Sequence, residues 1–242
     1  MKQPKLILRE SAVYDMSRDW LPGRFAEMGA GTGHMGGLFA DRGFSGVCHD
    51  LSATSRSDMR RKFETGQAQL TVVDDIHDLP ASAFDYLFAF EVLEHIENDR
   101  EVLAEWVRVL RPGGRILVSV PAHARKYGRS DELVGHVRRY ERQQLNDLMS
   151  GAGICDIRMI NYGFPITEAT RIVGNWLVRD NQDYEDLDPE QRSMLSARAK
   201  PRAVERVLAI CGERSIAPFR VIQRWFYGRD WGDGLIASGI KS

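Results

Sequence analysis

The segment Glu27-Met28-Gly29-Ala30-Gly31-Thr32-Gly33 carries glycine at every second position, and Asp50 ends the next apolar run. Glycine has no β-carbon, so it takes positive φ freely and lets a ligand approach the main chain. A helix beginning directly after such a loop presents unpaired N–H groups and a partial positive charge. A carboxylate at position 50 can accept hydrogen bonds from both hydroxyls of a ribose diol. Loop and carboxylate together suit a nucleotide-like ligand. The shifted register Gly31-Thr32-Gly33-His34-Met35-Gly36 also satisfies GxGxxG, with Asp50 near the roughly 20-residue distance expected for a nicotinamide or flavin dinucleotide. Spacing alone leaves both ligands open, as well as a tight turn with no ligand at all.

A second group of chemically capable residues lies in positions 121–145, PAHARKYGRSDELVGHVRRYERQQL. His136 and His123 are candidate general bases near neutral pH. Tyr140 can orient a hydroxyl, and Arg138 or Arg139 can hold an anionic acceptor. The duller alternative is a loop-to-helix junction in which one arginine binds a carboxylate such as Asp131 and the other is solvated. Glu94 and His95 suggest an acid/base pair, but their place at the start of a short helix favours a structural hydrogen-bonding role.

The elements that must hold these groups alternate between short apolar runs and helical patterns, which predicts βαβ units and a mostly parallel sheet. Strands are expected at 24–29, 46–50, 69–73, 84–90 and 115–120, and helices at 34–42, 55–65 and 99–110. Gly43 stands where a left-handed helix cap is wanted. Runs such as LFAF and ILVSV are continuously apolar, as in central strands covered on both faces. Beyond a basic loop at 121–140, a helix is expected near 141–152, a strand at 155–162, helices through 164–228 and a last strand at 234–240. That last strand would complete the first sheet, so the expectation is a single domain, 1–242, with a late helical insertion.

Composition sets limits on what these elements do. With 33 Lys plus Arg against 34 Asp plus Glu, the net charge is −1, which gives no global field for a polyanion, and no nucleic-acid partner is expected. The only apolar run at the N-terminus, Leu6-Ile7-Leu8, is shorter than a signal-peptide core, and no stretch is long enough for a membrane span. The three cysteines are far apart with no CxxC pair, which fits reduced, buried thiols in a cytoplasmic protein rather than disulfides or zinc. His34, His49 and His77 lack the acidic partners of a divalent-ion site, so no metal is expected.

Five segments carry a family resemblance: EMGAGTG at 27–33, Asp50 after the second strand, VVDDIHDLP at 72–80, FDYLFAFEVLEHIEND at 84–99 and VLRPGGRILVSVP at 109–121. Together, over about residues 24–121, they resemble the class I S-adenosylmethionine-dependent methyltransferases, in particular the small-molecule and lipid-quinone type. The resemblance implies an α/β, Rossmann-like, doubly wound seven-stranded sheet and S-adenosylmethionine as cofactor. It places Gly29, Gly31 and Gly33 against the methionine moiety, with Glu27 near its amino-acid end. It gives Asp50 the ribose hydroxyls, Leu51 an adenine face, Asp75 the adenine amino group and Ile76 the ring. Asp74 is an adjacent alternative to Asp75. Phe90 and Glu91 would line the floor beside the methionine portion.

A narrower set, D-x-x-x-x-G-H-x-R-R-Y, resembles a smaller group of these enzymes through Asp131, Gly135, His136, Arg138, Arg139 and Tyr140. Only 26 residues precede Glu27, so the long N-terminal lid of many relatives is not expected, and cover would fall to the helical insertion. The function implied is methyl transfer to O or N of a small or lipid-like acceptor. Two other readings remain: an NAD(P)-dependent oxidoreductase, and a catalytically silent cofactor-binding partner protein. Trp and Arg in PFRVIQRWFY, 218–227, leave open a peripheral contact with a membrane surface.

Overall fold

The computed structural model describes residues 3–66, 69–168 and 213–242. These fall into two compact units interleaved along the chain: Met1–Ser17, Pro121–Glu141 and Ile160–Ile236 in one, and Arg18–Val120, Arg142–Met159 and Ala237–Ser242 in the other.

The second unit holds most of a seven-stranded sheet of order β3-β2-β1-β4-β5-β7-β6. Its strands are β1 (Arg24–Met28), β2 (Ser45–His49), β3 (Leu70–Val73), β4 (Phe84–Phe90), β5 (Leu110–Pro121), β6 (Ile154–Tyr162) and β7 (Gly234–Lys241). The first five pair in parallel, with Met28 opposite both His49 and Ala89, His49 opposite Val73, and Phe90 opposite Ser119. β7 runs the other way. The Ala122 amide just beyond β5 donates to the Asp233 carbonyl at the start of β7, and the Ser242 amide beyond its end donates to the Gly153 carbonyl before β6. The sheet is therefore mixed, and the fold is the expected Rossmann-like α/β type.

β1 and β4 consist almost wholly of buried residues, because helices cover both faces of a central parallel strand. Phe25, Phe39, Phe44 and Phe88 are buried to within 1% of full, and the Phe39 and Phe88 rings stack at 4.2 Å. Each such side chain contributes about 1.5–3 kcal/mol relative to exposure. The helices of this unit are α2 (His34–Ala40), α3 (Ala53–Gly66), α4 (Asp99–Arg108) and α6 (Arg142–Gly151). α4 starts with Asp99 and Glu101 and ends with Arg108, charges that complement the helix dipole. Gly43 closes the α2 turn at φ +87°, as its position predicts.

In the other unit, α1 (Pro4–Ser17) packs on α7 (Glu213–Ile222). Asp15 takes a forked ion pair from Arg224 at 2.7 and 2.8 Å and a hydrogen bond from the Tyr227 hydroxyl at 2.8 Å. The buried Gln223 side chain donates to the Leu8 carbonyl at 3.0 Å.

Several expectations need correction. α1 was not expected, although its buried residues Pro4, Ile7, Leu8, Ser11, Ala12 and Met16 recur at helical spacing. β5 begins at Leu110 rather than 115, with the Arg-Pro-Gly-Gly stretch continuing the strand through a register shift. The loop at 121–140 contains a 3-10 turn (Ala124–Lys126) and the short helix α5 (Arg129–Val134). Cys48 is buried as expected, but Cys155 is exposed. Most of the helical insertion expected at 164–228, including Ala169, Ile172, Val173, Trp176 and Leu177, lies outside the described residues. No helix among the described residues is long and apolar enough to cross a membrane.

Candidate active site

Strand register alone brings four sequence-distant loops to one edge. Met28, His49, Val73 and Ala89 are aligned across β1, β2, β3 and β4. The residues that follow them, Gly29, Asp50, Asp74 and Phe90, therefore stand side by side at the carboxyl edge, where ligands bind in open α/β sheets.

The glycines of the loop have different jobs. Gly29, Gly31 and Gly33 all have positive φ, at +65°, +55° and +64°. A β-carbon on Gly29 would lie 2.5 Å from Val92 Cγ2, and one on Gly33 would lie 2.5 Å from Phe63 Cζ, so these two are fixed by packing as well as by conformation. One on Gly31 would meet nothing within 4 Å. The open side of the loop is thus at Gly31. Glu27 lies beneath it, 2% exposed, where its Oε2 accepts from the Cys48 thiol at 3.7 Å. Burial, then the neighbouring Glu27 carboxylate, pushes the Cys48 thiol well above its ordinary pKa.

Asp50 and the loop are joined directly. Asp50 Oδ2 accepts from the Gly31 amide at 2.8 Å and Oδ1 from the Ser52 amide at 2.9 Å. Each carboxylate oxygen retains capacity for a second donor. Beside it Leu51 is 89% exposed, a large apolar side chain held in the open next to the loop.

At the end of β3 the two aspartates separate cleanly. Asp74 is engaged by Arg56 Nε at 2.9 Å and Arg60 Nη2 at 2.7 Å. Arg60 first, and Arg56 with it, holds the Asp74 carboxyl below its ordinary value. Asp75 instead accepts the His77 amide at 2.9 Å through Oδ1, capping the turn that carries the half-exposed Ile76. Asp74 is thus committed to two guanidiniums and Asp75 to a main-chain amide. Phe90 is buried at the end of β4. Glu91 follows at φ +57°, its amide donating to the Ser119 carbonyl at 2.8 Å and its Oε1 accepting from the Ser119 hydroxyl at 3.1 Å.

The residues of positions 121–141 belong to the other unit, where Asp131, 1% exposed, is a hub. Its Oδ1 lies 2.8 Å from His136 Nδ1 and 2.9 Å from Arg139 Nε, and its Oδ2 accepts from the Gly128 amide at 3.0 Å. Burial drives the Asp131 carboxyl up, but the His136 and Arg139 bonds outweigh it, and the group sits below its ordinary value. Arg139 also donates through Nη1 to Asp233 Oδ1 at 2.8 Å. Gly135 stops α5 at φ +79°. The Tyr140 amide donates to the Pro121 carbonyl at 2.9 Å, and the residue is 3% exposed. The D-x-x-x-x-G-H-x-R-R-Y pattern is thus in large part a self-bonded structural motif.

Arg139, expected to hold an acceptor, is instead clamped between two buried carboxylates, while Arg138 is half-buried. His123 is 4% exposed and held at φ +67°, with Nδ1 3.3 Å from Glu141 Oε2 and Nε2 3.4 Å from Asn161 Nδ2. Sequence reasoning missed Arg56, Glu141, Asn161 and Asp233. Several of their partners lie from 18 to 94 residues away along the chain, beyond any local pattern, although Arg56 also reaches main-chain oxygens five and six residues back.

Strand order and loop together define an α/β unit of Rossmann-like type. Residues 26–118 match the methyltransferase domain family. A probable S-adenosylmethionine-dependent methyltransferase of Mycolicibacterium smegmatis is 28% identical over 148 residues, covering 60% of this chain and 57% of that protein. The chain thus spans little more than half the length of this relative. Among solved structures, the YcgJ protein of Bacillus subtilis aligns at TM-score 0.62 and 16% identity over 96% of this chain and 98% of that one. Phosphoethanolamine N-methyltransferase 2 of Haemonchus contortus, in complex with S-adenosyl-L-methionine, aligns at TM-score 0.58 and 18% identity over 96% of this chain and 52% of that one. These two likenesses speak to the fold. Over residues 26–118 the chain is thus similar to the methyltransferase domain family, and the curated relative it matches is described as S-adenosylmethionine-dependent.

Proposed function

We propose that the protein transfers the methyl group of S-adenosylmethionine to an oxygen or nitrogen of a small or lipid-like acceptor. The observation that carries this reading is the open face of the loop at Gly31, flanked by the Asp50 carboxylate and the exposed Leu51. In this reading Asp50 takes the ribose hydroxyls, Leu51 and Ile76 cover the adenine, and Asp75 accepts from its amino group. Gly29, Gly31 and Gly33 let the methionine portion approach the main chain, with Glu27, Phe90 and Glu91 below it.

The cofactor supplies an electrophilic methyl on a sulfonium, which leaves as a neutral thioether when the acceptor lone pair forms the new bond. Alignment is the main task of the protein, worth on the order of 7–11 kcal/mol. A base is required only where the acceptor must lose a proton. His136 and His123 are both candidates for that role: Asp131 Oδ1 lies 2.8 Å from His136 Nδ1, and Glu141 Oε2 and Asn161 Nδ2 lie 3.3 and 3.4 Å from the two ring nitrogens of His123. Tyr140 and Arg138 complete the acceptor side of the proposal.

Calorimetric titration of the full chain tests the reading. Micromolar binding of S-adenosylhomocysteine with no binding of NAD(P) supports it, and the reverse result refutes it. The lipid-like version draws on Trp225 and Trp231, 75% and 49% exposed, with the Arg229 guanidinium over the Trp231 ring at 5.7 Å. Trp and Arg suit the boundary between apolar and polar phases. Failure to co-sediment with anionic liposomes at low salt would leave the small-molecule acceptor as the sole form of the proposal.

A further inference from the structure

One basic side chain near the nucleoside edge has no role in the chemistry above. Arg56, in the first turn of α3, donates through Nη1 to the main-chain oxygens of Asp50 at 2.7 Å and Leu51 at 2.8 Å. Through Nε it donates to Asp74 Oδ1 at 2.9 Å. One guanidinium therefore ties the segment that follows β2 to the segment that follows β3. Arg60, one helical turn on, reaches only the second Asp74 oxygen, at 2.7 Å. The Arg56 side chain is 17% exposed although Asp74 is 65% exposed, and its contact to the Asp50 carbonyl is the sheltered one.

The geometry needs arginine. The fork is planar, and its donors leave in fixed directions, so carbonyls on one side and a carboxylate on another can be held at a set separation. A lysine ammonium is a point charge on a flexible stem and cannot impose that separation. The strands alone do not impose it either, because both loops begin where the ladder pairing of His49 with Val73 ends.

We propose that Arg56 is a positioning residue for the nucleoside half of the cofactor, fixing Asp50 and Leu51 relative to Asp75 and Ile76. It touches no cofactor atom and acts through the two loops it joins. The inference rests on the assignment of these loops to ribose and adenine made above.

The test is calorimetric titration of the full chain with S-adenosylhomocysteine and with 5′-methylthioadenosine, which keeps the nucleoside and lacks the amino acid. Arg56→Ala raises Kd for both ligands by tenfold or more and by the same factor. Arg56→Lys, which keeps the charge, still binds at least threefold more weakly than wild type at an unchanged melting temperature. Arg60→Ala changes Kd by less than threefold. The proposal is overturned if Arg56→Ala binds within twofold of wild type, if lysine restores wild-type affinity, or if Arg60→Ala matches Arg56→Ala. Should Arg56→Ala fail to fold, the lysine variant decides by the same criterion. Wild-type protein that binds neither ligand would sink the functional reading itself, and the inference with it. Wild-type binding with unaffected Arg56 variants would sink the inference alone.

Discussion

The amide of Gly31 donates to Oδ2 of Asp50 at 2.8 Å, so the carboxylate assigned to the ribose also holds the glycine loop in place. Both Asp50 oxygens act as acceptors, the other toward the Ser52 amide. Asparagine offers one acceptor oxygen and sets an NH2 group against the second amide. Asp50→Asn should weaken S-adenosylhomocysteine binding by about ten- to a hundredfold, since hydrogen bonds to charged groups contribute roughly 1.5–3 kcal/mol. A calorimetric Kd within twofold of wild type would rule this out.

Gly29 and Gly31 should respond differently to a methyl group. Both have positive φ, a conformation that costs about 1–2 kcal/mol for a residue with a β-carbon. At Gly29 the new carbon also overlaps Val92, whereas at Gly31 it points into open space. Gly29→Ala is expected to lower the melting temperature more than Gly31→Ala does. Gly31→Ala is expected to lose cofactor affinity out of proportion to its stability. Thermal melts paired with titrations check the order, and a reversed order would contradict the assignment of the open face.

Asp131 predicts a pH dependence of known sign. Its bonds to His136 and Arg139 hold the buried carboxyl below its ordinary value near 3.8. The unfolded chain therefore takes up this proton first as pH falls. The stabilising contribution is complete above the unfolded value and is lost as pH drops through the lower, folded one. Asp131→Asn should be less stable than wild type at pH 7 by about 3–5 kcal/mol, the range for breaking a buried ion pair. The gap should narrow below about pH 4, where the unfolded wild-type chain begins to protonate. Urea unfolding from pH 7 to pH 3 measures it, and a constant gap would count against the hub.

The two described cysteines should be separable by reagent. Cys48 is fully buried with its thiol pushed up by burial and by Glu27, so its thiolate is scarce. Cys155 is exposed. Native protein treated with iodoacetamide at pH 8 and mapped by peptide mass should carry the label at Cys155, with Cys48 modified only after denaturation. Prompt native labelling of Cys48 would mean that the floor beneath the glycine loop opens.

The central sheet was readable because buried parallel strands are written as unbroken apolar runs, and β4 spans the very residues expected, 84–90. The glycine loop and Asp50 were each readable as ligand-facing from their types at strand ends, but the hydrogen bond between Gly31 and Asp50 was not, because each was read against a ligand rather than against the other. The acceptor-side segment was read less well. Its histidine and arginines were recognised as chemically capable, yet Arg139 turned out to bind Asp233, 94 residues away, which no local spacing could announce. Arg56 was hidden for the same reason: in the sequence it is one of several polar residues of α3, and only the fold gives it two loops to join.

The place of β7 between β5 and β6 has a consequence for biosynthesis. β6 ends at residue 162, but the strand that bridges it to β5 is made only at 234–241. While the ribosome adds the intervening 71 residues, β5 and β6 each present an open row of amides and carbonyls on the side that β7 will fill. Translation pauses in this interval, or premature stop codons before it closes, should therefore yield nascent chains that depend on chaperones.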